Sequence, residues 1–129
     1  MAGALGPRTL LDTAAYPPTA VAVEYVLDAP YGDDLIESFP VYLVSVGLAA
    51  RLDASELTGF ALARATAVAG DGYRAAYGDV PHKAYRWLQV IGGRHDDCRL
   101  TADYRLWVSP RMMDVLAASD LGHCMVDAA

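Results

Sequence analysis

The densest set of potentially reactive side chains is His95-x-x-Cys98, echoed by the adjacent pair His123-Cys124. Imidazole and thiolate suit zinc, whose protein ligands commonly pair about two to four residues apart on a turn. The first pair meets that spacing. The second does not, because adjacent residues rarely both reach one ion, so no metal is expected. Cys98 with His95 as its base would make a nucleophile, but reactive thiols sit beside cations or helix N-termini that stabilise the thiolate. Asp96 and Asp97 directly precede Cys98 and oppose its ionisation, and Arg94 and Arg99 only soften that effect. Gly70-x-Gly72 and Gly92-Gly93 read as turns. No glycine-rich loop with a Lys-Ser/Thr ending is present, so neither a nucleotide nor any other cofactor is expected. No catalytic residue is assigned.

Carboxylates form two clusters, Asp33-Asp34-Glu37 and Asp96-Asp97. A solvated loop is the default for both, and a paired-carboxylate hydrolase would need a substrate-shaped set of aromatic and polar neighbours. Acidic side chains on turn-rich loops do suit the steering of a basic protein, raising its encounter rate more than its final affinity. Tyr31, next to Gly32, adds a rigid amphipathic anchor. The expected partner-binding set is therefore Tyr31, Asp33, Asp34 and Glu37, with Asp96 and Asp97 as a second patch. Its structural rival is that Asp34 or Asp97 fixes its own loop by accepting backbone N–H bonds, as turn aspartates often do. Tyr85 and Trp87 alternate onto one strand face, expected to be core, although Tyr and Trp also anchor interfaces.

The elements that must position these residues are organised by a phrase written twice. Residues 41–62 (VYLVSVGLAARLDASELTGFAL) and 105–126 (RLWVSPRMMDVLAASDLGHCMV) align without a gap at an offset of 64 residues. Ser45 falls on Ser109, Leu52 on Leu116, Ser55 on Ser119 and Leu57 on Leu121. Each copy opens with a short β-type run ending at a serine suited to N-capping. Pro110 then occupies a first helical position, where its missing N–H costs nothing. Leu48 and Leu52, like Met112, Val115 and Leu116, follow at helical spacing. The unit reads as strand, Ser-capped helix, strand, with helices over 45–53 and 109–118. The duplicated Ser45 and Ser109 are caps rather than catalytic serines.

Residues 1–19 read as a loose leader ending at Pro17-Pro18. Alternation over 21–27 predicts a strand, and 28–37 an acidic loop. Over 60–69 a bulky residue alternates with alanine, which predicts a strand whose small face admits close packing. The connection 70–81 carries a short helix around Tyr73–Tyr77. Residues 85–91 form another strand, and 94–103 a polar excursion. Together these give a single α+β domain: a mixed or largely antiparallel sheet of five or six strands flanked by the two Ser-capped helices.

The chain has 129 residues, of which 54% are hydrophobic, and its mean hydropathy is positive, all of which argues for an ordered core. No apolar run approaches the ~20 residues of a membrane helix, and no secretory signal is evident. With only two cysteines, the thiols are expected reduced in a cytoplasmic protein. The net charge of −6 disfavours nucleic acid, whose phosphates want a basic stripe. It suits a basic protein partner or simply solubility.

Phe39-Pro-Val-Tyr-Leu-Val-Ser45, Leu57-Thr-Gly-Phe60, Trp87-Leu-x-Val-x-Gly92, Asp96-Asp97 and Leu106-Trp-Val-Ser-Pro-Arg111 occur in an order that resembles small bacterial immunity proteins of polymorphic toxin systems. The likeness spans about the last two-thirds of the chain. It implies a non-enzymatic cytoplasmic protein that binds and neutralises a cognate toxin, with no catalytic residues. The rival is a small enzyme or an accessory protein of a biosynthetic pathway, using the His95/Cys98 or His123/Cys124 region. A homo-oligomeric structural domain is a third reading, since the apolar content leaves surface to spare.

Overall fold

A computed structural model describes residues 3–6, 9–12, 19–29, 33–38, 41–103 and 105–119. In chain order the elements are β1 (Gly3–Leu5), β2 (Leu10–Asp12), β3 (Thr19–Ala22), β4 (Glu24–Leu27), β5 (Leu35–Ser38), β6 (Val41–Ser45), α1 (Val46–Ala54), β7 (Phe60–Arg64), β8 (Thr66–Ala69), α2 (Asp71–Tyr77), β9 (Tyr85–Val90), β10 (Cys98–Leu100), β11 (Leu106–Val108) and α3 (Pro110–Ala117). The class is α+β, with strand pairing mostly antiparallel.

The organising strand is β6. All five of its residues are buried, an apolar run rather than an alternating pattern, which marks a strand covered on both faces. It lies inside the antiparallel sheet β5-β6-β9-β7. Tyr42 and Val44 face one core with Leu48, Leu52, Leu88, Met112 and Leu116, which brings α1 and α3 onto that face. Val41 and Leu43 face a second core with Val23, Tyr25, Leu27, Tyr73 and Tyr85. That core belongs to the sheet β1-β4-β8, in which β4 runs antiparallel to β1 and parallel to β8. The molecule is therefore layered as helices, four-stranded sheet and three-stranded sheet. Hairpin ladders β2-β3 and β10-β11 complete the described pairing.

The alanine-alternating stretch explains how two sheets replace the single one expected. Residues 60–69 are extended, but the strand breaks at Ala65. β7 pairs with β9, and β8 passes into the other sheet alongside β4. Its large side chains Phe60 and Leu62 pack against the helix-side core. Ala65, Ala67 and Ala69 pack in the inter-sheet core among Tyr25, Tyr73 and Tyr85. Small residues let a chain cross between closely packed sheets, where a larger side chain would overfill the space.

Other boundaries also moved. The acidic loop ends earlier than expected, because Leu35–Ser38 pairs with β6 as β5, Ile36 buried and Glu37 exposed. The polar excursion 94–103 contains β10, whose Cys98 is buried and pairs opposite Val108. The connection 70–81 does hold a helix, α2. Tyr85 is buried and Trp87 packs against the same core, as their alternation requires. The leader's Pro17-Pro18 and the end of the second phrase, 120–126, lie outside the described residues.

Leu88 is fully buried in the central strand β9, opposite Tyr42 on one side and Leu62 on the other. Leu88→Ala should therefore lower stability by ~2–5 kcal/mol. Urea denaturation of the purified variant checks this.

Candidate functional site

The two acidic clusters fall at the starts of the two long helices, and the chain wires them in the same way. At α1, Ser45 is the N-cap and its Oγ accepts from the Leu48 N–H. The same hydroxyl donates to Asp34 Oδ1 at 2.7 Å, while the Ser45 N–H donates to the Asp34 carbonyl at 2.8 Å. At α3, Ser109 is the N-cap and accepts from the Met112 N–H. Its hydroxyl donates to Asp97 Oδ1 at 2.6 Å, and its N–H to the Asp97 carbonyl at 2.7 Å. A serine hydroxyl has one proton and two lone pairs, so each one accepts from its helix and donates to an aspartate.

A cation completes each clamp. Lys83 Nζ lies 3.2 Å from Asp34 Oδ1. Arg111 donates through Nη2 to Asp97 Oδ2 at 2.7 Å and through Nε to Oδ1 at 3.3 Å, a two-point grip that suits a guanidinium. Asp97 reaches further still. Its Oδ2 accepts from the Thr58 N–H at 3.0 Å, and its own N–H donates to the Thr58 carbonyl. One carboxylate thus joins the segment after α1, the turn before β10 and the first turn of α3.

Glycines let these segments meet. Gly59 has φ +98°, a conformation that side chains rarely adopt. A Cβ on Gly92 would stand 1.9 Å from the Cys98 carbonyl oxygen and 2.7 Å from the Gly59 Cα. The Gly59 carbonyl accepts from the Ile91 N–H. Glycine at 92 is therefore set by close approach of backbones, not by turn-forming freedom.

The electrostatics follow the wiring. Asp97 is held well below the usual carboxylate range by its hydrogen bonds to Arg111 first, then to Ser109 and the Thr58 N–H. Asp96 is lowered chiefly by the Gly93 N–H, which its Oδ2 accepts at 2.7 Å. Burial pushes the Cys98 thiol up to about 12, with Asp96 and Asp97 adding to the effect. That thiol is fully buried and packs with the helix-side core, whereas His95, the candidate base, is exposed. No group of three or more metal-ligand side chains occurs among the described residues. His123 and Cys124 lie outside them.

The six residues expected to meet a partner are dispersed in role. Asp33 and Asp97 are only 7% exposed, so neither presents the solvated side chain that steering requires. Asp34 is half-buried and engaged with Ser45 and Lys83. Glu37 is exposed and accepts from the Tyr42 hydroxyl at 2.6 Å, a bond that, after burial, raises the Tyr42 pKa. Asp96 is half-buried, and Tyr31 lies outside the described residues. Asp34 holds Lys83, and Asp97 holds Thr58 and Arg111, partners that local spacing does not reveal. The available signals were Thr58-Gly59 after α1, the Ser-Pro-Arg run at 109–111, and the single lysine of the chain.

No family model, curated protein or solved structure matches the chain. No described helix is long and apolar enough to cross a membrane.

Two outcomes follow for the clamps. Ser45→Ala and Ser109→Ala should each destabilise by ~0.5–2 kcal/mol through the lost cap, measured by chemical denaturation. Asp97→Asn should lower the melting temperature by several degrees at pH 7. Because the folded pKa of Asp97 is depressed, its stabilisation is present above the unfolded value of about 3.9 and fades as pH falls below it. The gap in melting temperature between wild type and Asp97→Asn should therefore narrow below about pH 4.

Proposed function

We propose that the chain is a non-enzymatic binding protein, with neutralisation of a bacterial toxin as the leading case. The observation supporting this reading is where the family-like residues lie. Thr58 and Gly59, Gly92, Asp96 and Asp97, and Ser109 and Arg111 converge on one junction. Their hydrogen bonds and backbone contacts account for their types. The resemblance thus rests on residues that hold a shape, which suits a protein acting through its surface. A cytoplasmic location fits the same reading. An enzyme built on His95 and Cys98 has less support, since burial holds that thiol protonated.

We also read the two strand–serine–helix units as copies of one ancestral unit. The ungapped offset supports this, as does the matching wiring of Asp34 to Ser45 and Asp97 to Ser109. The aspartates stand eleven and twelve residues before their serines, so the likeness of the two clamps includes a one-residue difference in loop length.

The experiment is co-expression. The gene is expected directly downstream of a large multidomain toxin gene, and its product should restore growth when that toxin's C-terminal domain is induced. A neighbourhood of biosynthetic genes, with no rescue, would refute the toxin reading. With a cognate toxin in hand, Glu37→Gln combined with Asp96→Asn should slow association and flatten its salt dependence. Stopped-flow binding at several ionic strengths reads this, and unchanged rates would remove the acidic loops from the interface.

A further inference from the structure

At the inter-sheet corner one edge of β8 is unpaired among the described residues. The β7-β9 ladder ends at Arg64 opposite Arg86, and beyond it β8 follows β4 instead. The Thr66 N–H donates to the Val23 carbonyl and the Gly70 N–H to the Leu27 carbonyl. Backbone groups alternate along a strand, so the N–H and C=O of Ala67 point away from β4. On that side β8 has no ladder neighbour among the described residues. Along this edge runs an open groove of about 700 Å³, with Ala67 and Ala69 on one side and Val80, Pro81 and His82 on the other.

The groove has built walls and a charged rim. Tyr73, fully buried at its base, donates its hydroxyl to the Val80 carbonyl, and His82 packs edge-on against the same ring. The Val80 side chain is 47% exposed, an apolar surface facing solvent. Asp79 lines the groove, while Asp71 and Asp28 stand exposed at the adjoining start of α2. The lining cation, Arg74, donates to the Ala69 carbonyl. An apolar channel beside a free strand edge fits an extended peptide, which gains main-chain bonds from the edge and side-chain contacts from the groove. Asp79 in the lining, with Asp71 and Asp28 exposed at the neighbouring start of α2, outweighs the charge of Arg74 and favours a cationic one.

We propose that this groove receives an extended, cationic segment of a protein partner, added as a strand along the free edge of β8. The inference rests on the reading of the chain as a binding protein and supplies that partner's contact chemistry. The probe is a capped eight-residue peptide of alternating lysine and valine, titrated into isotope-labelled protein and followed by amide NMR. Shifts should be confined to Thr66–Ala69, Tyr73 and residues 79–82, and the Ala67 amide should gain protection from exchange. Ala67→Pro removes the outward donor, and Asp71→Lys with Asp79→Lys reverses the exposed rim without touching a core residue. Each change should weaken binding about tenfold or more, with melting curves confirming the fold. An alternating glutamate–valine peptide should not bind.

Absence of shifts at millimolar peptide, shifts on another face, or equal binding of the acidic peptide would overturn the proposal. So would undiminished binding by the charge-reversed variant. A toxin neutralised equally by wild type and that variant would overturn the groove while leaving the binding-protein reading in place. A peptide that binds as described, with no toxin rescued, would do the reverse.

Discussion

The Asp97 carboxylate is the interaction on which the helix layer depends. A buried anion is tolerated only when charge and hydrogen bonds replace its lost hydration. Here Arg111 and the Ser109 hydroxyl, at the start of α3, and the Thr58 N–H, after α1, supply them. Each bond therefore also fixes a position: the exit from α1, the entry to β10 and the first turn of α3. The Ser109 hydroxyl caps α3 while donating to Asp97, so helix start and loop anchor are one unit. Asp34, Ser45 and Lys83 repeat the arrangement at α1, more exposed and with a single ammonium in place of the guanidinium grip. Removing either aspartate would take from the capping hydroxyl its carboxylate acceptor and from the cation its ion pair.

These clamps hold the helices on one face of a sheet whose other face is also covered. That arrangement constrains function. Polar side chains near the helix starts are committed internally, and the thiol among them is sealed in the core. The opposite side is different. There the chain crosses between sheets, and among the described residues β8 is paired on one edge only. Packing thus seals Cys98 and Asp97 away from solvent and leaves an open groove lined by residues of little chemical character.

Much of the helix layer was legible in the sequence. Ser45 and Ser109 precede apolar residues at helical spacing, and both sit at N-caps. The alanine alternation over 60–69 correctly implied a strand with a closely packed small face. It gave no sign of the break at Ala65, because a sheet-to-sheet crossing depends on what β4 and β9 offer from either side. The acidic clusters misled for a related reason. A run such as Asp96-Asp97 looks solvated until Arg111 and Thr58, both more than ten residues away, are seen to meet it. The groove was harder still, since its components are alanines, a valine and a proline that carry no motif.

Asp97 is a structural junction rather than a solvated loop carboxylate. Its side-chain carboxyl carbon can be followed by NMR as pH is lowered from neutrality. This signal should stay at its ionised position through the usual carboxylate range, changing only well below it or on unfolding. A midpoint near the ordinary aspartate value of about 3.9, in a protein still folded, would contradict it.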